Sequence, residues 1–544
     1  MKSAALPLAF AVSAALVLAS FESPADQASR LAGVADPALF RALEPAGPRD
    51  EIPVIIGFSS GGTQLAANTL RSRSARRLEL LRHLKAVNES SLMPLKSFLS
   101  KKSPGPAVSL WIINAVSLRA TREALEAMAV LPGVSSIRLD RTISLPREPA
   151  GNPFFKPWNL TAVKAVDLWS MGVNGKGVVV AGIDTGVDAK HPDLSGRWRG
   201  GFNGWFDAWE EHGTPWDSDG HGTRTMGLIL GGSSSGNPIG VAPGASWIAA
   251  RIYNDAGKTT YTAIHKAFQW VMDPDDDPST DDAPDIVNNS WGFSDNPGEC
   301  VTEFQDDIKI LKAAGIGVVD SAGNEGPGPY TSTSPANNAG TLSVGSVDEL
   351  KGLQNTSSRG PSACNGSIFP AIVAPGVNVK TADLTSNGLY PQSFTYVSGT
   401  SFAAPHAAGV MALLLNAFPA TPVDEIEKTI VDTAADLGNA GPDNDYGHGL
   451  VDALAAWRRL DWIVRCSDAG PDACTEDAGT DSGGYADGGG QSPSDGASSP
   501  DSGQDHGGGC SAAGADAGGA GLAAGLCGLA LGFMLLRRRL QMGR

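Results

Sequence analysis

Positive charge is scarce in this chain: 41 lysines and arginines stand against 58 aspartates and glutamates over 544 residues, a net charge of −17. That balance argues against a nucleic-acid partner. Cysteine is sparse as well, six in all, and neither a Cys-x-x-Cys nor a His-x-x-x-His spacing occurs, so no structural zinc site is indicated. Cys300 and Cys364 lie in the globular middle, Cys466 and Cys474 flank a short polar loop, and Cys510 and Cys527 fall near the end. In an exported chain a Cys300–Cys364 and a Cys466–Cys474 disulfide are both permissible. A second Asp-Thr-Gly or Asp-Ser-Gly in a matching strand context is also missing, which excludes the paired-carboxylate chemistry that Asp184-Thr185-Gly186 alone would suggest. From Cys466 to Gly509 there is no lysine or arginine at all. That Gly-, Ser- and Asp-rich stretch cannot bury enough apolar surface to offset its conformational entropy, and it is expected to be a disordered acidic spacer.

What is present begins with a mostly apolar run from Ala4 to Leu18 after a single Lys2, with small residues near Ala19. This pattern predicts a signal peptide over residues 1–19. Between about Ile52 and Leu145 strand-like and helix-like segments alternate: strand Pro53–Phe58, helix Ala75–Leu99 with Pro94 as a potential break, strand Val108–Leu118, helix Arg122–Leu131 and strand Val134–Leu139. They predict a compact α+β module, separate from the rest of the chain. Pro146 to Pro153 is unsuited to helix or central strand and is expected to be exposed and open to cleavage.

From Trp158 onward strands and helices alternate in the manner of a parallel sheet covered by helices on both faces, an α/β fold. Gly177–Ile183 is a buried strand ending in Asp184, and the carboxyl end of a parallel strand is where such folds place their sites. Gly220 and Gly222 flank His221, a residue able to take and return a proton near neutrality. Ile286–Asn289 leads into Ser290, Trp291 and Gly292, an expected extended edge for a peptide to pair with. Ile316–Val319 leads into Ser321–Gly326, where the Asn324 amide is placed to donate to an oxyanion. Finally Gly399-Thr400-Ser401 opens an apolar helix with Pro405 in its first turn, so the Ser401 hydroxyl sits at the positive end of a helix dipole. Taken by itself Ser401 reads better as a helix cap than as a nucleophile, since serine is a preferred capping residue and most such serines do no chemistry. His406, on the same helix, is assigned to packing.

Asp184-Thr185-Gly186, His221-Gly222-Thr223, Ser321–Asn324 and Gly399–Pro405 follow one another in the Asp, His, Ser order of the subtilisin-like serine proteases, and the chain resembles that family. Asn288–Gly292 and Asp445–Leu450 strengthen the resemblance. It implies a subtilisin-like catalytic domain over about 149–460. It implies Ser401 as nucleophile, His221 as general base and then acid, Asp184 orienting the imidazole, and Asn324 as oxyanion donor. Ser290, Trp291 and Gly292 would line the substrate cleft, and protein or peptide would be the substrate. Residues 20–148, with the module at 52–145, resemble an inhibitory propeptide that the enzyme removes, which makes the chain a zymogen. The other reading is a binding or adhesion protein that keeps the fold without the activity.

Two departures matter. Arg224 stands where the family often has a second histidine, outside the proton relay. The loop Gly231–Asn237 offers no carboxylates for calcium, although calcium is the one metal in prospect, and Asp273–Asp282 is an alternative cation site or a solvated charge run. After a linker expected over 461–516, Ala517–Leu536 is about long enough to cross a bilayer and Arg537-Arg538-Arg539 follows. With Cys510 before it, this end resembles the sorting tails of myxobacterial surface proteins. The expectation is an exported enzyme held at the cell surface by a membrane segment over 517–544.

Overall fold

The computed structural model describes residues 24–59, 72–102, 106–145 and 158–469. The first strands are β1 (Ile52–Phe58), β2 (Val108–Leu110), β3 (Ala115–Ala120) and β4 (Val134–Leu139), which form an antiparallel sheet in the order β2-β3-β1-β4. The stretch expected as one strand from Val108 to Leu118 instead folds back on itself. A single turn at Trp111–Ile113 and a left-handed Asn114 reverse the chain, so that Val108 lies opposite Ser117. Asparagine is among the few side chains that tolerate that conformation. Helix Arg73–Lys102 runs unbroken through Pro94.

One face of this sheet has its own core of Leu39, Val54, Ile56, Leu118, Leu125 and Ile137. On the other side Leu80, Leu81, Trp111 and Ile112 share a second core with Ile264, Phe268, Phe304 and Leu311 of the later part of the chain. The separate module expected from the sequence is therefore not a distinct body, and all the described residues belong to one compact unit. The apolar face that the module would need to bury by itself is covered by its neighbour.

A short strand β5 (Thr142–Ser144) leaves the module. The larger sheet then takes β6 (Val179–Asp184), β7 (Trp205–Asp207), β8 (Ser246–Arg251), β10 (Ile286–Asn289), β11 (Gly317–Ser321), β12 (Leu342–Val347) and β13 (Ile372–Pro375), while β9 (Lys258–Thr260) stands outside it and pairs with β5. Its order is β13-β12-β11-β10-β6-β8-β7, and every pairing is parallel. β10, β11 and β12 are buried along their whole length, as continuous apolar strands under helices should be. The chain starts at β6, builds outward to one side and then returns to the other side of β6 with β10. That reversal opens a crevice at the carboxyl ends of β6 and β10. A hairpin of β14 (Val379–Ala382) and β15 (Phe394–Val397) precedes helix Thr400–Ala417, which is buried throughout most of its length against the sheet.

Cys300 and Cys364 form a disulfide; Cys474, the expected partner of Cys466, lies outside the described residues. The last described helix runs from Ala453 to Ala469, past the expected domain end at 460, because Ile463 still packs on the core. Among the described residues no helix is long and apolar enough to cross a membrane. The longest, Arg73–Lys102, is rich in charge, and the apolar Thr400–Ala417 spends its surface on the core. The transmembrane anchor and the membrane partnership expected from the sequence are accordingly withdrawn. The signal peptide, the acidic spacer, Cys510, Ala517–Leu536 and the arginines after it all lie outside the described residues.

Candidate active site

Asp184 is the last residue of β6, and its carboxylate is buried. His221 opens helix His221–Leu230, and its Nδ1 lies 2.7 Å from Asp184 Oδ1. The carboxylate accepts, so the neutral imidazole carries its proton on Nδ1 and keeps the Nε2 lone pair for an incoming proton. Two glycines let these segments come so close. A Cβ on Gly222 would lie 2.1 Å from the Gly186 carbonyl oxygen, and a Cβ on Gly186, at φ +114°, would lie 1.8 Å from the Trp216 carbonyl oxygen.

The turn before His221 is built by Asp217, a residue to which the sequence alone assigned no role. Its Oδ1 accepts from Gly220 N at 2.7 Å, and its Oδ2 accepts from Thr223 N at 2.9 Å and Thr223 Oγ1 at 2.7 Å. Burial raises its pKa, and the bonds from Thr223 and Gly220 oppose that rise. Thr185 Oγ1 accepts from Gly222 N at 2.9 Å, which ties the Asp184 strand directly to the helix. Asp217 lies outside the ordinary cap position, which is Gly220, so helix-capping patterns in the sequence do not point to it.

Ser401 is the second residue of its helix and buried, with Gly399 at the cap position and no capping side-chain bond there. The cap reading of Ser401 is thereby set aside. Phe402 brings this turn to the imidazole, its ring centroid 5.4 Å from that of His221. Ser290 Oγ donates to the Ser401 carbonyl at 2.8 Å and accepts from Asn288 Nδ2 at 2.9 Å. Ser290 thus holds the backbone of the Ser401 turn. Trp291 points away into the core against Phe304, at 5.5 Å between centroids, and only the backbone of Trp291 and Gly292 remains for a cleft.

Asn324 follows β11. Its Oδ1 accepts from Thr400 N at 3.0 Å and from Thr400 Oγ1 at 3.1 Å. Both partners are donors to this oxygen, so the carboxamide cannot be turned the other way round, and Nδ2 occupies the edge opposite Thr400. Glu325 is held in the same loop, with its Oε2 accepting from Ser358 Oγ at 2.9 Å.

His406 is confirmed as packing: Nδ1 donates to the Phe402 carbonyl and Nε2 accepts from Asn159 Nδ2, each at 2.8 Å. Burial lowers its pKa to about 4. Arg224 forms an ion pair with Asp383 at 2.8 Å, beside the His221 helix and outside the Asp184–His221 pair. The loop Gly231–Asn237 has no carboxylate of its own but folds over Asp193, whose Oδ1 accepts from Ser234 N at 2.8 Å.

Among the described residues two acidic groupings come close together. Glu211 and Asp255 pair with Arg251 while His212 meets Asp255, and Asp273, Asp275 and Asp282 meet near Lys85.

The module also reaches the later part of the chain through a short strand. β5 lies antiparallel on β9, with Thr142 opposite Thr260 and Ser144 opposite Lys258, and Leu145 N donates to Gly257 O at 3.1 Å. Ile143 packs on the core that contains Tyr261, Trp291 and Phe304.

The subtilase family model matches residues 175–449. Bacillopeptidase F of Bacillus subtilis is 34% identical over 409 residues, 68% of this chain but 28% of that protein. Subtilisin DY of Bacillus licheniformis is 31% identical over 55% of this chain and 98% of its own length, and subtilisin E of Bacillus subtilis is 27% identical over 73% of this chain and 95% of its own. The matched part therefore spans nearly all of the subtilisins and little more than a quarter of bacillopeptidase F.

Proposed function

Because the chain belongs to the subtilase family of serine endopeptidases, we propose that it hydrolyses peptide bonds with Ser401 as nucleophile, and that it is made as an exported, self-inhibited precursor. His221 takes the Ser401 proton on Nε2 and returns it to the leaving amine. Asp184 fixes the tautomer and steadies the imidazolium. The oxyanion is met by the Ser401 N–H and Asn324 Nδ2. The observation that carries this reading is the 2.7 Å bond from His221 Nδ1 to Asp184 Oδ1, in a crevice that also receives the Ser401 turn. The orientation of Asn324 supports its part, because Thr400 fixes the carboxamide before any charge develops.

Residues 52–145 are proposed to act as the inhibitor. β5 lies along β9 as a peptide would in strand addition, and on this reading it occupies an edge that a substrate would need. Maturation then removes the module by a cut in 146–157. Export is supported by the Cys300–Cys364 disulfide, since such bonds persist in oxidising compartments. In the acidic groupings Glu211 and Asp255 pair with Arg251, and Asp273 pairs with Lys85.

A fluorophosphonate probe tests the reading. The wild-type chain should be labelled at Ser401, and Ser401→Ala should be neither labelled nor cut between Leu145 and Trp158. Absence of labelling after removal of the module would mean a binding protein on a subtilase fold, whereas normal cutting of purified Ser401→Ala would end the idea of self-maturation.

A further inference from the structure

The segment after helix Tyr261–Met272 is Asp-Pro-Asp-Asp-Asp-Pro-Ser-Thr-Asp-Asp-Ala-Pro-Asp, residues 273–285, seven aspartates in thirteen positions. It is not left to water. Helix Arg73–Lys102 of the module lays Arg73, Arg77 and Lys85 against it. Arg73 pairs with Asp285, and Lys85 pairs with Asp273 and, at 2.7 Å, with Asp276. Arg77 is the centre of the contact and is only 4% exposed. Its Nε donates to Ala314 O at 2.9 Å, Nη2 to Pro284 O at 2.8 Å, and Nη1 to Ala283 O at 3.3 Å and Asp281 Oδ1 at 3.2 Å.

Three backbone carbonyls and a carboxylate thus converge on one guanidinium. A planar, five-donor group satisfies such a socket, and an ammonium cannot reach all of it. The position of the socket matters as much as its chemistry. Asp285 immediately precedes β10 and its Oδ2 accepts from Val179 N at the start of β6, while Ala314 lies just before β11. These are the amino ends of the parallel strands. Asp184, Ser290 and Asn324 stand at or just beyond the carboxyl ends of the same strands, one strand length away.

We propose that this socket is a guanidinium-binding exosite on the catalytic domain, and that it retains the N-terminal module independently of the β5–β9 contact. The proposal rests on the reading of the module as inhibitor. A ligand held at two points stays bound when either one opens, because the second event is intramolecular. Cutting the 146–157 junction, or displacing β5 with substrate, would then leave the module in place until the socket lets go. Buried arginines in such positions dominate interface energies, and the flanking surface pairs add a salt-sensitive part.

The test uses the full chain as Ser401→Ala, with a recognition site for an added protease placed within 146–157, so that the cut owes nothing to self-processing. Dissociation of the cut module is followed by size-exclusion chromatography and by exchange against a labelled copy. We expect Arg77→Gln to speed release at least ten-fold, and Arg77→Lys to do nearly the same because charge alone does not fill the socket. Asp281→Asn is the partner-side variant, and its effect should largely vanish in the Arg77→Gln background. Thermal melting of the uncut chains shows which variants fold. Release from Arg77→Gln within two-fold of the parent would overturn the exosite; if that variant does not fold, unchanged release from Arg77→Lys and Asp281→Asn would do so. Neither result depends on probe labelling at Ser401, which judges the enzymatic reading by itself.

Discussion

Asn324 shows how much a single residue owes to its neighbours. An asparagine in a Gly-Asn-Glu-Gly loop is ordinary turn material, but here Thr400 takes its oxygen with two donors and so points its nitrogen to the opposite edge. A donor preorganised in this way acts when charge forms and adds little to ground-state binding. Asn324→Ala is therefore expected to lower kcat by about a hundred-fold or more with KM changed only slightly. Steady-state kinetics on a peptide substrate check it, and a rise in KM at constant kcat would make Asn324 a binding residue. Ser290, expected to line the cleft, also supports the Ser401 carbonyl through its hydroxyl.

The elements that carry the site are held at distances only glycine permits. The helix opened by His221 approaches the Asp184 strand with Gly222 facing the Gly186 carbonyl, and there is no space for a methyl group. Gly222→Ala should leave the sheet intact, since the clash is local, but it should push the imidazole away from Asp184. An angstrom of misplacement is enough to cost on the order of a hundred-fold in rate. We expect kcat/KM to fall by at least that much while the melting temperature drops by a few degrees, measured on the same preparation. Asp217 sets the same helix from the other side through its bonds to Gly220 and Thr223.

Charge is distributed so that the two parts of the precursor depend on each other. His265, within the catalytic part, is fully buried between Asp307 and Glu303, and Arg138 of the module pairs with Glu303 at 2.7 Å. Burial by itself would lower the His265 pKa, but the Asp307 and Glu303 carboxylates outweigh it and hold it at about 9. Asp140 also faces this cluster. The folded-state pKa lies above the unfolded value near 6.5, so this stabilisation is complete below about pH 6.5 and is lost as pH rises through 9. Urea denaturation of the uncut Ser401→Ala chain should show stability falling between pH 6.5 and 9, by an amount of order 1–3 kcal/mol. His265→Gln should flatten that slope, and an unchanged slope would remove His265 as its source.

Much of this was legible in the sequence because the relevant signals are local. The alternation of apolar strands and helices gave the parallel sheet, and Asp184, His221, Asn324 and Ser401 each sit at the end or beginning of an element marked by glycine, whose backbone freedom is a property of that residue alone. The start of the His221 helix and the packing role of His406 were within reach for the same reason. What the sequence left open depends on groups brought together from far apart. The strand expected from Val108 to Leu118 reverses at Asn114 because β3 has to pair with β1, and Trp291 turns inward because Phe268 and Phe304 wait there. The run of aspartates from 273 to 285 reads as a solvated charge cluster or a cation site until Arg77 and Lys85, some two hundred residues earlier, are seen lying on it. Local propensity and periodicity set which elements form and where their reactive residues stand. Which faces meet, and hence which charges are paired and which side chains are buried, was decided only by tertiary packing, since burial energy belongs to the assembled surface and to no single segment of the chain.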